Sequence, residues 1–222
     1  MKILGIDESG RGPVAGPMTM CGYLIDEDRI VELKNLGVKD SKLLTEKKRS
    51  SLAPKLKKLS DDFIVLKISA TEIDKLRSVS NLNVLEIERM QHMINMFRPD
   101  RVIIDSPEVN TKKFSAKVMA KVKDKKIEIV SENFADKNHI EVGAASILAK
   151  VERDAEIKKL HKKYGFFGSG YATDEITIRF LKDWMKKNKE FPDFVRKSWF
   201  TAQWIKQEHE QTNMGKFVNG VK

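Results

Sequence analysis

Lys2-Ile3-Leu4-Gly5-Ile6-Asp7-Glu8-Ser9-Gly10-Arg11-Gly12-Pro13 stands at the head of the chain and decides how the rest is read. Lys2 to Ile6 is a short apolar run of the kind that fills a buried strand. It runs directly into two carboxylates and a Ser-Gly turn, so the strand carries charge at its end. Neighbours on a strand point to opposite faces, and Asp7 and Glu8 can share one site only if the chain turns at Glu8. Ser9-Gly10 permits that turn. Pro13 to Pro17 breaks the chain again, and the apolar, β-prone stretch from Met18 to Ile25 makes a second strand.

Working outward, Asp28 to Leu36 has the pattern of a short helix, and Thr45 caps a basic helix that reaches Leu59. Asp62 to Ser69 alternates as a strand, and Thr71 with Asp74 has the spacing of a capping box that opens a short helix. From Asn83 to Phe97 apolar residues recur at helical spacing until Pro99 stops them. Arg101 to Asp105 is another apolar strand that finishes on a carboxylate. Phe114 to Val122 is a basic helix, and Ile127 to Val130 a further strand. Asp136 to Tyr164 reads as one long helix, small and apolar at first and then charged. A glycine-rich loop from Gly165 to Gly170 leads to Tyr171, and helices over Asp174 to Lys187 and Phe200 to Gln211 follow. Strands first, strands alternating with helices next, and helices alone at the end predict an α/β fold: a mixed sheet flanked by helices, with a small helical C-terminal subdomain. The expected divisions are residues 1–171, 172–210 and a tail over 211–222.

Composition narrows the function classes. The 222 residues carry 42 Lys and Arg against 32 Asp and Glu, a net charge of +10. Such an excess suits a polyanionic partner, most simply nucleic acid, because bound cations release condensed counterions. Cys21 has no partner for a disulfide or a cysteine zinc site, and this favours a reducing, cytoplasmic setting. His92, His139, His161 and His209 have no metal-ligand spacing. No apolar run is long enough to span a bilayer, and the first carboxylates come too early for a signal peptide. The lysine-rich stretch from Lys112 to Lys126 reads as a solvated helix face.

The acids are the candidates for chemistry. Asp7 and Glu8 follow one strand, Asp105 ends another, and Asp136 begins a helix, so the four are placed to converge. Taken singly, each is an ordinary turn former or N-cap. Together they could not remain ionised without a cation, and hard oxygen ligands favour Mg²⁺ or Mn²⁺. Two such ions would clamp a phosphodiester. Gly10-Arg11-Gly12 lets the backbone approach a ligand while Arg11 pairs with phosphate. Lys42 could hold a backbone phosphate, although its surroundings are no Walker loop. Ser146 and Lys150 are four apart and share a helix face, from which both could bind substrate, with Lys150 touching nucleic acid. Tyr171, offered from a glycine loop, suits stacking on a sugar or base. His139 is the histidine nearest a candidate acid and could assist proton transfer. Two classes stay open on these residues: a metal-dependent nuclease, a DNA junction resolvase on a similar core being one form of it, and a non-catalytic basic RNA-binding protein.

Several blocks together resemble the type 2 ribonuclease H family in its archaeal form. They are Gly5 to Pro17, Asp40-Ser41-Lys42-Leu43-Leu44, Ile104-Asp105-Ser106, Ala135-Asp136-Lys137, Ala145 to Asp154, and Gly168-Ser169-Gly170-Tyr171. The resemblance implies a ribonuclease H-like core in which Asp7, Glu8, Asp105 and Asp136 bind the metal. It implies hydrolysis of the RNA strand of RNA–DNA hybrids, and cutting at single ribonucleotides in duplex DNA, leaving 3′-hydroxyl and 5′-phosphate ends. It also implies that Gly10-Arg11-Gly12 reads the ribose 2′-hydroxyl through backbone groups while Tyr171 packs on the sugar at the junction. The 2′-hydroxyl is the local group that tells RNA from DNA. Gln211, Met214 and Phe217 follow the spacing of a sliding-clamp-binding peptide, with Val218 in place of its second aromatic. The protein is expected to act as a monomer, away from membranes.

Overall fold

The computed structural model describes residues 1–38 and 43–219, with side chains up to Gln211. Lys42 therefore lies outside the described residues, as do the side chains of Met214 and Phe217. Strands β1 (Lys2–Ser9) and β2 (Met18–Asp26) pair antiparallel, with Asp7 opposite Cys21 and Ser9 opposite Thr19. The helix expected from Asp28 is divided. A 3-10 turn over Glu27–Arg29, capped by the Asp26 carboxylate, precedes α1 (Ile30–Asn35). Helix α2 (Glu46–Leu59) begins where Thr45 accepts from Lys48 N, as the sequence predicts.

Strand β3 (Asp62–Ile68) leads into α3 (Ala70–Arg77), whose capping box is Ser69 with Glu72 and not Thr71 with Asp74. Ser69 takes the cap because the helix starts two residues earlier, which leaves Asp74 available to a different partner. Next come α4 (Leu82–Phe97), β4 (Arg101–Asp105), α5 (Thr111–Met119) and β5 (Glu128–Glu132). The start of α5 is earlier than its apolar residues suggest, because Asn110 accepts from Lys113 N at 3.0 Å.

The long helix expected from Asp136 is two helices, α6 (Ala135–Asn138) and α7 (Ile140–Tyr164). His139 interrupts them in an extended conformation (φ −122°, ψ 112°). Its N–H closes α6 on Ala135 O, and its carbonyl accepts the N–H of Gly143 in the first turn of α7. The chain finishes with α8 (Glu175–Lys187) and α9 (Phe200–Asn219), and α9 continues past the Gln211 limit expected for it.

Among the described residues the sheet has five strands in the order β3-β2-β1-β4-β5. β1 is antiparallel to β2 and parallel to β4, and β4 is parallel to β5, so the sheet is mixed as expected. Two compact units divide the chain. The first comprises residues 1–9, 19–67 and 81–154. Its core packs Tyr23, Ile25, Leu33 and Leu56 against Ala144, Ala145 and Leu148 of α7. A large apolar side chain buried this fully contributes roughly 1.5–3 kcal/mol.

The second unit comprises residues 10–18, 68–80 and 155–222. Phe167, Leu181, Met185, Phe194 and Ile205 fill its core, with the Phe167 and Phe194 rings stacked at 4.8 Å. The C-terminal helices thus share a unit with two early segments, and Tyr171 lies within it.

Candidate active site

β1 and β4 run parallel with Ile6 opposite Ile104, so the next residue of each strand, Asp7 and Asp105, stands at the same end of the strand pair. The third acid arrives by a tighter route. After β5 the chain passes through Asn133 and Phe134 into α6. Phe134 adopts the left-handed conformation (φ 62°), which costs a bulky residue about 1–2 kcal/mol. The resulting bend returns the start of α6 to β4, where Ala135 N donates to Asp105 Oδ1 at 3.0 Å. Asn133 Nδ2 secures the loop after β4 by donating to Ser106 O at 2.9 Å and Glu108 O at 3.0 Å.

One carboxylate oxygen from each of Asp7, Asp105 and Asp136 lies within 4.8 Å of the others. Asp7 and Asp136 are 4% and 3% exposed, and Asp105 is half-buried. Three acids that came from three elements of the sequence therefore meet. Glu8 stands beside them without being one of the clustered three. β1 stays extended through Glu8 to Ser9, so the turn expected at Glu8 falls at Gly10 instead. The main-chain N–H of Glu8 donates to Asp7 Oδ1 at 2.7 Å.

Burial pushes the Asp7 carboxyl up to about 8, and the charges of Asp105 and Asp136 push it the same way. The Ser146 hydroxyl and the Glu8 N–H, both hydrogen-bonded to it, act in the opposite sense without overcoming burial. The cluster resists full ionisation by itself. A divalent cation would remove the resistance, and an all-oxygen donor set of this kind fits Mg²⁺ or Mn²⁺.

Helix α7 supports this arrangement through its small residues. Ala144, Ala145 and Ala149 are fully buried, and Thr19 Oγ1 donates to Ala149 O at 2.8 Å. A Cβ on Gly5 would meet the main chain of Glu141 at 2.5 Å, so β1 and α7 touch backbone to backbone. At that separation the short Ser146 side chain, itself buried, reaches Asp7. Ser146 is thus a partner of a carboxylate, a role the sequence did not suggest. Lys150, one turn further along α7, is half-buried. His139 is held between two glutamates, with Nε2 at 3.1 Å from Glu132 Oε2 and Nδ1 at 3.8 Å from Glu141 Oε1. Cys21 is fully buried in β2, where burial pushes its thiol up, and it serves as packing material.

The second unit brings together Gly10-Arg11-Gly12 and Tyr171. Val14 N and Ala15 N both donate to Gly170 O, at 2.9 and 3.1 Å, which ties the Tyr171 loop to the segment after the glycine turn. A Cβ on Gly12 would lie 3.9 Å from Tyr171 Cε1, so the ring stands beside the turn, 39% exposed. Asp174 organises the loop: it accepts from Ser169 N at 2.6 Å, Ser169 Oγ at 2.7 Å and Ile176 N at 3.0 Å. The hydrogen bonds from Ser169 are the main reason its carboxyl is held down to about 2. Arg196 and Trp199 also reach the turn, donating to carbonyls of Gly10, Arg11 and Gly12. Neither residue was marked by the sequence, since Val195-Arg196-Lys197-Ser198 has the look of one more basic surface stretch. Gln211 is exposed in the second half of α9. No helix among the described residues is long and apolar enough to cross a membrane.

Comparison with known proteins identifies the family. A family model described as Ribonuclease HII matches residues 4–202. The ribonuclease HII of Methanothrix thermoacetophila is 43% identical over 207 residues, covering 93% of this chain and 98% of the relative. The crystal structure of ribonuclease H2 from Pyrococcus horikoshii OT3 superposes with a TM-score of 0.90 at 40% identity, covering 95% of this chain and all of that one. The RNase HII of Archaeoglobus fulgidus, solved in a complex with PCNA, has a TM-score of 0.82 at 38% identity, covering 90% and 95%. The family model and relatives at about 40% identity span nearly the whole chain, and the fold matches, so it belongs to the ribonuclease HII family and is a ribonuclease H enzyme.

Proposed function

We propose that the enzyme hydrolyses the RNA strand of RNA–DNA hybrids and cuts 5′ to ribonucleotides embedded in duplex DNA, leaving 3′-hydroxyl and 5′-phosphate ends. The observation that carries this is the meeting of Asp7, Asp105 and Asp136 oxygens within 4.8 Å of one another. These three residues and Glu8 would hold two Mg²⁺ or Mn²⁺ ions. Bound divalent ions supply a water acidic enough to attack at neutral pH and a counter-charge for the leaving oxygen.

The chain's own groups do the rest. Ser146 keeps the Asp7 carboxylate in one orientation, as supporting residues around metal ligands generally do. Backbone groups of Gly10-Arg11-Gly12 read the ribose 2′-hydroxyl, and Arg11, Lys42 and Lys150 hold phosphates along the strand. Tyr171, partly exposed beside Gly12, packs on the sugar at the RNA–DNA junction. The net charge of +10 supplies the sequence-independent attraction to the duplex. The C-terminal segment with Gln211, Met214 and Phe217 docks on a sliding clamp, a reading supported by the PCNA complex of the Archaeoglobus fulgidus relative. The protein works in the cytoplasm, as a monomer.

A substrate panel tests the reading. A DNA duplex with one ribonucleotide and a long RNA–DNA hybrid should both be cut, with end-labelled products carrying 3′-hydroxyl groups. An all-DNA duplex and a four-way DNA junction should stay intact. Cleavage of the junction, or none of the ribonucleotide duplex, would overturn it.

A further inference from the structure

Arg196 is the largest side chain that the fold buries completely among the described residues. Burying a guanidinium is costly, and an apolar side chain of similar size would fill the space with less penalty. Its hydrogen bonds give the reason for its presence. Nη1 donates to Arg11 O at 2.8 Å, Nη2 to Gly10 O at 2.5 Å and to Gly16 O at 3.1 Å, and Nε to Gly16 O at 3.2 Å. Trp199 Nε1 donates to Gly12 O at 3.0 Å. The carbonyls of all three residues of the Gly-Arg-Gly turn are thus held by two side chains from far along the chain.

That segment is itself fixed. Asp74 accepts from Lys197 N at 2.8 Å, from Ser198 N at 3.0 Å and from Ser198 Oγ at 2.6 Å. The guanidinium groups of Arg77 and Arg196 lie 4.5 and 4.9 Å from the centre of the Trp199 ring. Every peptide bond in the described chain is trans, so a carbonyl and the N–H of the next residue point in opposite directions. With the Gly10 and Arg11 carbonyls pinned, the N–H groups of Arg11 and Gly12 are turned the other way. Pinning Gly12 O exposes no third donor, because residue 13 is proline.

We infer that Arg196 and Trp199 are positioning residues that set the Gly10-Arg11-Gly12 turn, so that the N–H groups of Arg11 and Gly12 are aimed at the ribose 2′-hydroxyl. This rests on the reading of that turn given above. The planar fork of Arg196 reaches three carbonyl oxygens at once, which a lysine ammonium cannot reproduce. Trp199 contributes a single N–H, which a phenylalanine lacks while keeping an aromatic face for the two guanidinium groups.

The test is binding in the presence of chelator, where no cleavage occurs. Affinity is measured by fluorescence anisotropy for a DNA duplex with one ribonucleotide and for the same duplex without it, using the full chain. The unaltered protein should prefer the first. Trp199→Phe and Arg196→Lys should each lower that preference by about fivefold or more, the loss expected for one or more hydrogen bonds. The salt dependence of binding should stay unchanged, because phosphate contacts remain. A smaller folded fraction scales both affinities alike and leaves their ratio untouched. If Arg196→Lys does not fold, Trp199→Phe decides alone. A variant that keeps the original preference within twofold would overturn the positioning role. An unaltered protein with no preference would overturn the reading of the turn, and this role with it.

Discussion

Ser146 donates its hydroxyl to the carboxylate of Asp7, linking the second turn of α7 to the C-terminal half of β1. The contact depends on α7 lying against the backbone of Gly5, since a serine side chain is short. Removing it takes away a group that favours ionised Asp7. Ser146→Ala should weaken Mg²⁺ affinity and slow cleavage by roughly 10- to 100-fold, the usual effect of losing a supporting partner. The melting temperature should change little by comparison. Calorimetric titration with Mg²⁺ alongside a cleavage assay checks this, and unchanged values for both would contradict it.

The state of Asp7 also predicts how the metal-free protein responds to pH. Its carboxyl is raised from 3.8 to about 8, chiefly by burial, so the fold favours the protonated form. The stability contributed by this group is fully present below about pH 4 and is lost as pH rises through about 8. Denaturant unfolding in chelator should therefore show stability falling across that window. In Asp7→Asn the fall should be shallower. An equal slope in both proteins would contradict the assignment.

Gly5 tests the packing that brings Ser146 within reach. A Cβ there would come 2.5–2.7 Å from the main chain of Glu141 and Val142, and no side-chain rotation can relieve the clash. Gly5→Ala should cost about 1–3 kcal/mol, as overpacking does. Thermal unfolding measures it, and an unchanged melting temperature would show that α7 can shift freely.

Tyr171 offers a contrast, because its ring is 39% exposed and carries little of the core. Tyr171→Ala should leave the melting temperature nearly unchanged. Cleavage at a single ribonucleotide should slow by roughly tenfold, in line with the 1–3 kcal/mol of stacking on an aromatic side chain. Single-turnover rates decide, and a rate equal to the unaltered enzyme would argue against the contact.

How much of this was legible beforehand follows from what each feature depends on. Asp7 and Asp105 could be placed because each closes an apolar run, and such runs become neighbouring parallel strands. Asp136 was also visible, but on the wrong element. Helical residues continue on both sides of His139, and the interruption comes from hydrogen bonding at Ala135 and Gly143 that no local pattern encodes. The capping box was missed by two residues because Ser69 and Thr71 are equally good caps in isolation, and Asp74 instead serves Ser198. Arg196 stayed hidden for a related reason. Its partners at Gly10 and Arg11 are more than 180 residues away, and nothing in a basic stretch reveals which arginine is buried.

The central claim is that the aspartate cluster is a divalent-metal centre that cuts at ribonucleotides. It is tested most directly by cleavage of a duplex containing one ribonucleotide, with unaltered enzyme and Asp105→Asn, each in Mg²⁺, in Mn²⁺ and in chelator. The account predicts cutting by the unaltered enzyme in metal alone, and loss of about three orders of magnitude or more in Asp105→Asn, the scale of a removed catalytic group. The variant should retain its fold and its binding to the duplex. Near-normal turnover by Asp105→Asn, or cutting by the unaltered enzyme in chelator, would contradict it.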